Sequence, residues 1–273
     1  MPELPEVETI RAELDPLLRG AVVTDGWAFP SAKFSAAPLA VGARLGGVRR
    51  RGKYLLIDLD DGEHAARELV LHLGMTGRLS VRDAGDRAEP GPHLRARWHL
   101  DDGRTFHFDD IRRFGRVAVL DAGDHGSLPT LAALGPEPFD AAFTPERLRE
   151  MVNRSSRAVK TQLLSQRVVA GVGNIYADEA LWRSGVHPAA RRLTRAQAER
   201  LRDAVVQVLT EAVSNGGTTL RDYRNVRGTY GTNQDNLDCY GQAGLPCRRC
   251  GEPLHRVVVD ARSTTYCRAC QRR

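Results

Sequence analysis

Two pairs of cysteines near the end of the chain constrain its fold more than any other feature of the sequence. Cys247 and Cys250 form one CxxC pair, sixteen residues follow, and Cys267 and Cys270 form the second pair. Two such pairs can place four thiolates around one ion in a tetrahedron, which is the closed arrangement of a structural zinc site. The pattern therefore predicts a hairpin held by one structural Zn²⁺, with no open position for a catalytic metal.

Other roles for these cysteines were weighed against metal binding. A redox role for either CxxC pair leaves the second pair, at the spacing of a zinc ribbon, without an explanation. His255 lies between the pairs and could replace a cysteine as a ligand, but we interpret it as a surface residue. Cys239 lies outside the pattern, and we interpret it as a small buried residue.

Basic charge is concentrated in the same segment. From residue 247 to residue 273 there are seven arginines against two acidic residues, which gives +5 of the formal net charge of +6. Four zinc-bound thiolates would lower this value by two units, so the segment stays basic. Such a segment favours a polyanionic partner, with nucleic acid as the first candidate, while a solvated arginine-rich surface is the alternative.

Hydrophobic periodicity divides the 273 residues into two regions. Residues 5–19 repeat apolar side chains at helical spacing, and 21–121 contain several short strands separated by Asp-Asp-Gly turns, which predicts an antiparallel sandwich. Prolines in 122–143 indicate a linker, and helices follow. The predicted fold class is α+β with two domains: an N-terminal antiparallel β-sandwich flanked by helices, and a C-terminal helical domain that carries the zinc hairpin.

Start and stop signals place the helices of the second region. Four helices are predicted. The first begins at Thr144-Pro145-Glu146, and the second covers 157–166. The third runs from a cap at Asn174 to Gly185, and the fourth starts from a capping box of Thr194 and Gln197. The last helix presents Leu201, Val205, Val208 and Ala212 on one face. Residues 217–235 are polar and lack a period, so we predict a mobile loop there.

The sequence also excludes some protein classes. It has no apolar run of the roughly 18 residues that a membrane span needs, which predicts no membrane association. The acidic start of the chain does not resemble an export signal, and cysteines grouped for metal binding fit a reducing compartment.

The first residues suggest a chemical role for the chain terminus. Initiator methionine before proline is normally removable, which would leave Pro2 with a free secondary amine that is partly unprotonated near neutral pH. Such an amine can attack an aldehydic carbon and form an iminium, and Glu3 is placed to move protons. On these residues alone, a frayed chain end is the alternative interpretation.

Five motifs occur in an order that resembles bacterial formamidopyrimidine-DNA glycosylases, a family shared with endonuclease VIII. They are MPELPEVE at the start, HLGMTG at 72–77, DDIRRFG at 109–115, GVGNIYADE at 171–179 and the four-cysteine ribbon. The resemblance implies a catalytic β-sandwich domain, an interdomain linker, a helix–two-turn–helix domain and a zinc finger, with DNA between the two main domains. We assign these to 2–128, 129–143, 144–235 and 236–273.

The same resemblance implies an activity and its residues. These enzymes excise 8-oxoguanine and formamidopyrimidines and then cut the strand at the abasic site by β,δ-elimination. The nucleophile corresponds to Pro2, the proton-transfer residue to Glu3, and a supporting acid to Glu6. Lys53 and Arg262 correspond to catalytic-site groups near the phosphates of the extruded nucleotide. The implied cofactor is one structural Zn²⁺, with no organic cofactor.

Further positions match DNA-contact residues of the family. Met75, Arg112 and Phe114 resemble the side chains that fill the space left by an extruded base. The remaining predicted DNA contacts are His72, Lys160, Asn174 and Tyr240. Ile111 stands where the family commonly has proline, so we expect a looser turn before Arg112.

Leu4 and Met75 favour the formamidopyrimidine branch of the family. The alternatives left open are an endonuclease VIII-like enzyme for oxidised pyrimidines and a protein that binds damaged DNA without cutting it. The expected partner is double-stranded DNA that contains oxidised bases or abasic sites. We expect a monomer in the bacterial cytoplasm.

Overall fold

A computed structural model describes residues 2–62, 66–86, 89, 91–221 and 223–272. The chain forms two compact units, and each of them combines segments that are distant in sequence. The first unit runs through Ala132 and also contains Gly216–Thr232. The second unit contains Ala133–Asn215 and the chain from Asn233 onward.

The first unit is a sandwich of two antiparallel sheets. Their strand orders are β1-β6-β7-β5 and β2-β3-β4-β8. This arrangement confirms the predicted antiparallel β-sandwich with helices beside it. The elements are α1 (Leu4–Leu18), β1 (Val23–Ala28), β2 (Arg44–Arg51), β3 (Tyr54–Asp60), β4 (Arg67–His72), β5 (Gly77–Arg82), β6 (Leu94–Leu100), β7 (Thr105–Asp110), β8 (Arg116–Asp121) and α2 (Pro129–Ala132).

The core of this unit follows from strand and helix periodicity. Alternate residues of β7, Phe106 and Phe108, point inward and are fully buried. Trp98 on β6 stacks on Phe106 with ring centroids 5.0 Å apart, and its indole nitrogen donates to the carbonyl of Ala37 at 2.8 Å. The buried stripe of α1 covers the same core. That stripe consists of Val7, Ile10, Leu14 and Leu18.

Residues 216–232 belong to the first unit, which differs from the predicted domain of 144–235. Tyr223 and Val226 are part of the sandwich core. The Glu13 carboxylate on α1 accepts hydrogen bonds from the Val226 backbone N–H and the Asn225 side chain, each at 2.8 Å. The segment therefore returns to the first unit because a distant carboxylate satisfies its backbone. The structure also continues the first unit to Ala132, into the predicted linker of 129–143.

The second unit is helical and carries a two-stranded hairpin. α6 starts with the predicted capping box, in which Gln197 N donates to Thr194 Oγ1 at 3.2 Å and Thr194 N donates to Gln197 Oε1 at 2.9 Å. Its predicted face is buried. The elements are α3 (Pro145–Asn153), α4 (Val159–Leu164), α5 (Asn174–Ser184), α6 (Arg195–Ser214), β9 (His255–Val259) and β10 (Arg262–Tyr266).

One helix start differs from the prediction. Gly173 is the N-cap residue of α5, and Asn174 is the first helical residue. The Asn174 side-chain amide nitrogen donates to the carbonyl of Ser263 on β10 at 3.1 Å, while its Oδ1, the atom that would accept in a cap, accepts from no group among the described residues. Among the described residues, no helix combines the length and the apolar character needed to cross a membrane.

Acid is expected to weaken the first unit through His107 on β7. The ring is buried, and burial, with Arg82 and Arg97 nearby, lowers its pKa to about 4. The unfolded chain, with a pKa near 6.5, then takes up the proton first, so stability is complete above about pH 6.5 and falls toward pH 4. We expect a loss of up to about 3 kcal/mol from this group.

Urea unfolding at several pH values measures the effect. His107→Phe should flatten the dependence between pH 6.5 and 4. His99→Phe is the control, because that side chain is 40% exposed on the neighbouring strand. An unchanged acid slope in His107→Phe would contradict the assignment.

Candidate active site and nucleic-acid interface

The first described residues, Pro2 and Glu3, are buried. Pro2 is buried, and Glu3 is 2% exposed and serves as the N-cap of α1. The Glu6 carboxylate, 1% exposed, accepts the backbone N–H of Glu3 at 2.7 Å and completes a capping box. The positive end of the α1 dipole therefore lies at Pro2 and Glu3. A terminal amine at Pro2 would stand directly beside a fixed carboxylate.

The Glu6 carboxylate also holds the returning segment 216–232. Its second oxygen accepts the backbone N–H of Thr218 at 2.7 Å. The Tyr223 hydroxyl donates to the carbonyl oxygens of Gly216 at 3.2 Å and Glu6 at 3.4 Å, and burial raises the pKa of Tyr223 well above its usual range. One side chain thus joins the start of α1 to a segment more than two hundred residues away. Sequence analysis assigned Glu6 a supporting role but did not find this connection.

Gly217→Ala is expected to break this connection. Gly217 has a φ of +85°, and a Cβ there would lie 2.8 Å from Glu6 Oε1. We expect a loss of more than the roughly 1–2 kcal/mol that a left-handed residue alone costs, together with faster hydrogen exchange of the Thr218 amide.

Gly228→Ala is the matched control in the same segment. Its φ is +80°, but a Cβ there meets nothing within 4 Å. It should therefore show only the backbone cost. Equal losses of unfolding free energy in the two variants would contradict a role for the Glu6 contact.

Two of the predicted site residues, Lys53 and His72, lie on neighbouring parts of the first unit. Lys53 lies in the turn between β2 and β3 and is 8% exposed, and His72 ends β4 beside Tyr54, with ring centroids 4.6 Å apart. Burial, with the charges of Lys53 and Arg116, lowers the pKa of His72 to about 4. His72 is therefore neutral at physiological pH.

The tautomer of His72 follows from its hydrogen bond. The Gly74 backbone N–H donates to Nδ1 at 3.2 Å, so Nδ1 accepts and Nε2 carries the proton of the neutral ring. The Nε2–H group of His72 can donate a hydrogen bond to a phosphate oxygen. The positive charge of Lys53 favours the same anion, and neither side chain carries a negative charge that would repel it.

Three of the predicted DNA contacts lie on two loops that touch each other. Met75 is 37% exposed and Phe114 is 49% exposed. The Arg112 guanidinium lies 4.7 Å from the centroid of the Phe114 ring. An exposed thioether, aromatic ring and guanidinium on adjoining loops can stack on bases and donate hydrogen bonds to them.

The residues that hold these loops together were not found from the sequence. Asp110 is fully buried and accepts from Thr76 Oγ1 at 2.6 Å and from Gly115 N at 2.7 Å. Thr76 Oγ1 accepts in turn from Arg112 N at 3.0 Å. Hydrogen bonds thus fix both sides of the turn at Ile111, although proline is absent there. The signal for Asp110 in the sequence was an acidic residue at the end of a strand, directly before Ile111 and Arg112.

The predicted DNA contact at Lys160 differs from its observed position. Its side chain is fully buried on α4. Lys160 Nζ pairs with Asp178 Oδ1 at 2.6 Å and donates to Ser263 O at 2.9 Å and Thr264 Oγ1 at 2.8 Å. These contacts use all three donors of an ammonium group. In this structure Lys160 therefore anchors β10 to α4 and presents no donor to a ligand.

The remaining predicted residues of the second unit lie around the same hairpin. Arg262 begins β10, opposite Val259, and is exposed. Asn174 begins α5, where the helix dipole and backbone N–H groups favour an anion. Tyr240 is half-buried, and its backbone N–H donates to Glu179 Oε1 at 2.7 Å.

Two adjacent acids on α5 position the hairpin and the segment before it. Glu179 accepts the backbone N–H groups of Asp238, Cys239 and Tyr240 at 2.7–2.9 Å, and Asp178 accepts that of Thr265 at 2.9 Å. Burial raises the pKa of Asp178 to about 6. The sequence signal for both residues was an acidic pair inside an otherwise buried helix.

The four predicted zinc ligands come together. The sulfur atoms of Cys247, Cys250, Cys267 and Cys270 all lie within 4.8 Å of one another. The Cys250–Cys267 and Cys247–Cys270 sulfur distances are 3.5 Å and 4.0 Å. A tetrahedral zinc ion with Zn–S bonds of about 2.3 Å separates its sulfur ligands by about 3.8 Å, so the cluster fits one structural zinc. Cys239 is buried, as predicted, and donates to Thr265 O at 3.0 Å.

Comparison with known proteins gives matches along nearly the whole chain. The formamidopyrimidine-DNA glycosylase N-terminal domain matches residues 1–117, the H2TH domain of these enzymes matches 134–224, and the zinc finger found in FPG and IleRS matches 244–273. A relative in Deinococcus radiodurans named formamidopyrimidine-DNA glycosylase is 43% identical over 280 residues, covering 99% of this chain and 97% of the relative.

Solved structures show the same similarity. The MutM (Fpg) protein of Thermus thermophilus is 45% identical, with a TM-score of 0.89 and coverage of 99% of this chain and 98% of that chain. A MutM complex with DNA containing carbocyclic 8-oxo-G is 31% identical, with a TM-score of 0.88 and full coverage of both chains.

Proposed function

Because this chain belongs to the formamidopyrimidine-DNA glycosylase family, we propose that the buried start of its first unit carries out the chemistry of that family. The protein is a DNA glycosylase that excises oxidised purines from duplex DNA, and it cleaves the resulting abasic site as a lyase. Its residue-level mechanism is derived below from the positions of its own side chains.

The first step is attack by the terminal amine of Pro2. The nitrogen bonds to C1′ of the damaged nucleotide, and the bond between C1′ and the base breaks as the base leaves with a proton. Opening of the sugar ring gives an iminium between Pro2 and C1′. Glu3, fixed as the N-cap beside Pro2, exchanges the protons at the amine and the sugar oxygen.

Strand cleavage follows from the same iminium. It withdraws electrons from C2′, so loss of a C2′ proton expels the 3′ phosphate, and a second elimination expels the 5′ phosphate. Hydrolysis then releases the sugar fragment and restores the amine. Glu6 stays out of the bond changes and orients Glu3, because its carboxylate holds the Glu3 N–H at 2.7 Å.

The other proposed site residues bind the DNA. Lys53 and neutral His72 bind phosphate oxygens from the first unit, and Arg262, Asn174 and Tyr240 bind them from the second unit. The paired loops of Met75, Arg112 and Phe114 fill the gap left by the extruded base. Zinc, held by its four cysteines, supplies structure and takes no part in bond making. We also propose that the protein acts as a monomer in the bacterial cytoplasm.

The observation that carries this proposal is the Glu3 carboxylate, 2% exposed and fixed beside Pro2 at the positive end of α1. Borohydride trapping tests it. Wild-type protein, incubated with a duplex containing 8-oxoguanine and then reduced, should form a covalent complex whose peptide mass places the sugar on the nitrogen of Pro2. A chain extended by one uncleavable residue before Pro2 should form none.

The same reaction separates the alternatives. A thymine glycol duplex that reacts faster than the 8-oxoguanine duplex would assign the protein to oxidised pyrimidines. A protein that binds both duplexes without any adduct would be a binding protein, and the proposed chemistry would be wrong.

Arg262→Ala should weaken DNA binding to a similar extent for all sequences. An exposed arginine on a phosphate releases counterions, so its loss should reduce the slope of log K against log salt by about 0.9. Fluorescence anisotropy on a duplex with an uncleavable abasic analogue measures this slope. A variant with the wild-type slope would remove Arg262 from the phosphate contacts.

A further inference from the structure

The second unit carries an open, arginine-lined cavity whose lining includes none of the residues of the proposed function. Its volume is about 810 Å³, and its walls are 156–158, 189–192 and 258–260. We name it the arginine groove and define it by Arg157, Arg191, Arg192, Val258 and Asp260. The sequence predicted no functional role for these residues.

The walls of the arginine groove are joined by hydrogen bonds. Val159 N donates to Ala190 O at 2.7 Å, and Lys160 N donates to Pro188 O at 3.2 Å, so the first two walls are connected at their base. Thr161 Oγ1 donates to Asp260 Oδ2, which connects the hairpin turn to α4. The cavity is therefore formed by connected segments of one unit rather than by separate loops.

The arginine groove carries more positive than negative charge. All three arginines are exposed, and their guanidinium groups have neither an ion pair nor a hydrogen bond within the part of the chain that the structure describes. The only acid on the described walls, Asp260, accepts from the neutral Thr161 hydroxyl and keeps its charge, so three arginines against one acid leave a net charge of +2. Two other exposed arginines of the same unit are paired, Arg154 with Glu150 and Arg195 with Glu199. Three unpaired guanidinium groups in a concave surface suit phosphate oxygens, which they bind in a bidentate manner.

The groove adjoins a residue that the proposed function places on DNA. Val259 on its wall pairs directly with Arg262 across the hairpin, and the two residues lie at the two sides of the turn Asp260-Ala261. A DNA strand offers one phosphate for about every 3.4 Å of helix axis. A backbone bound at Arg262 can therefore continue past the turn to the arginines.

We propose that the arginine groove binds the phosphate backbone of duplex DNA on one side of the lesion and so extends the binding footprint beyond the extruded nucleotide. The inference rests on the proposed function for its partner, DNA. Val258, 72% exposed at the rim, provides an apolar contact for the sugars of the same strand.

A pair of double variants with equal charge changes tests the groove. The groove variant, Arg157→Gln with Arg192→Gln, removes two charges of the groove. The control variant, Arg154→Gln with Arg195→Gln, removes two ion-paired arginines, each three residues in sequence from one of the groove positions. On a long duplex with a central uncleavable lesion, the groove variant should lower the slope of log K against log salt by about 1.8, at about 0.9 per phosphate contact. The control variant should stay within a few tenths of the wild-type slope. A variant that keeps the charges, Arg157→Lys with Arg192→Lys, should keep most of the wild-type slope.

Shortened duplexes and a rate measurement complete the test. The difference between the groove variant and wild type should disappear when the duplex is shortened from one end and persist when it is shortened from the other. Excision at saturating enzyme should match wild type, since the groove does not touch the reacting nucleotide. Equal slopes for the groove and control variants, or a difference that survives shortening from both ends, would overturn the inference. Failure of wild type to excise any lesion would instead refute the proposed function, because the groove is assayed by binding alone.

Discussion

Glu3→Gln is expected to lower the rate of base excision by about 10²–10⁴-fold, the usual contribution of a general acid–base group. Glutamine keeps an oxygen that can accept the N–H groups of the first turn of α1, so the fold and DNA affinity should remain close to wild type. What is lost is the carboxylate charge and the ability of the group to take up and release a proton. Single-turnover kinetics at saturating enzyme on an 8-oxoguanine duplex measure the rate.

Glu8→Gln is the matched control on the same helix. Glu8 pairs with Arg50 at 2.8 Å and with Arg11 at 2.7 Å, and it has no contact with Glu3. Its excision rate should remain within a few-fold of wild type. If both variants lost the same activity, the effect of Glu3→Gln would reflect the stability of α1 rather than proton transfer.

Loss of zinc is expected to have the second large effect. Structural zinc contributes about 10–16 kcal/mol to the folding of finger peptides, so Cys250→Ser or a strong chelator should unfold the hairpin. Arg262 and Tyr240 then leave their positions. Loss of two charge-assisted hydrogen bonds to phosphate costs about 3 kcal/mol or more, which weakens DNA binding by roughly 10²-fold. Anisotropy with an uncleavable abasic duplex measures the affinity.

Circular dichroism separates this effect from global unfolding. The sandwich of the first unit has its own core and should keep its thermal transition without zinc. Cys239→Ser is the control, because Cys239 lies outside the metal cluster and serine can still donate to Thr265 O. Loss of every transition on chelation would show that the finger and the sandwich unfold as one body.

The features that the sequence predicted well are local ones. The spacing of the two CxxC pairs identified the four-cysteine cluster, because each pair brings its own two sulfur atoms close together within one turn of the chain. The capping box of Thr194 and Gln197 was confirmed because all of its atoms lie within one turn. The short strands predicted within 21–121 are also confirmed, because the pattern of each strand is local.

The features that the sequence did not predict depend on distant partners. Tyr223 enters the first core in a segment that Glu13 holds through the backbone N–H of Val226 and the side-chain amide of Asn225, and no periodicity records such a contact. Lys160 matched a surface phosphate contact by residue type, but burial beside Asp178 decides its role. The loops that carry Met75 and Phe114 are held by hydrogen bonds to the buried Asp110 carboxylate. From the sequence alone, this residue could not be distinguished from an exposed acid at the end of a strand.

The two-sided contact of Glu6 has a consequence for protein engineering. Segment 216–232 and the first turn of α1 share one carboxylate. A foreign segment keeps this contact only if it places a backbone N–H where that of Thr218 lies; otherwise one oxygen of an interior anion loses its donor. An exchange of this segment between homologues is therefore best made as a graft of two pieces, taken from opposite ends of the gene.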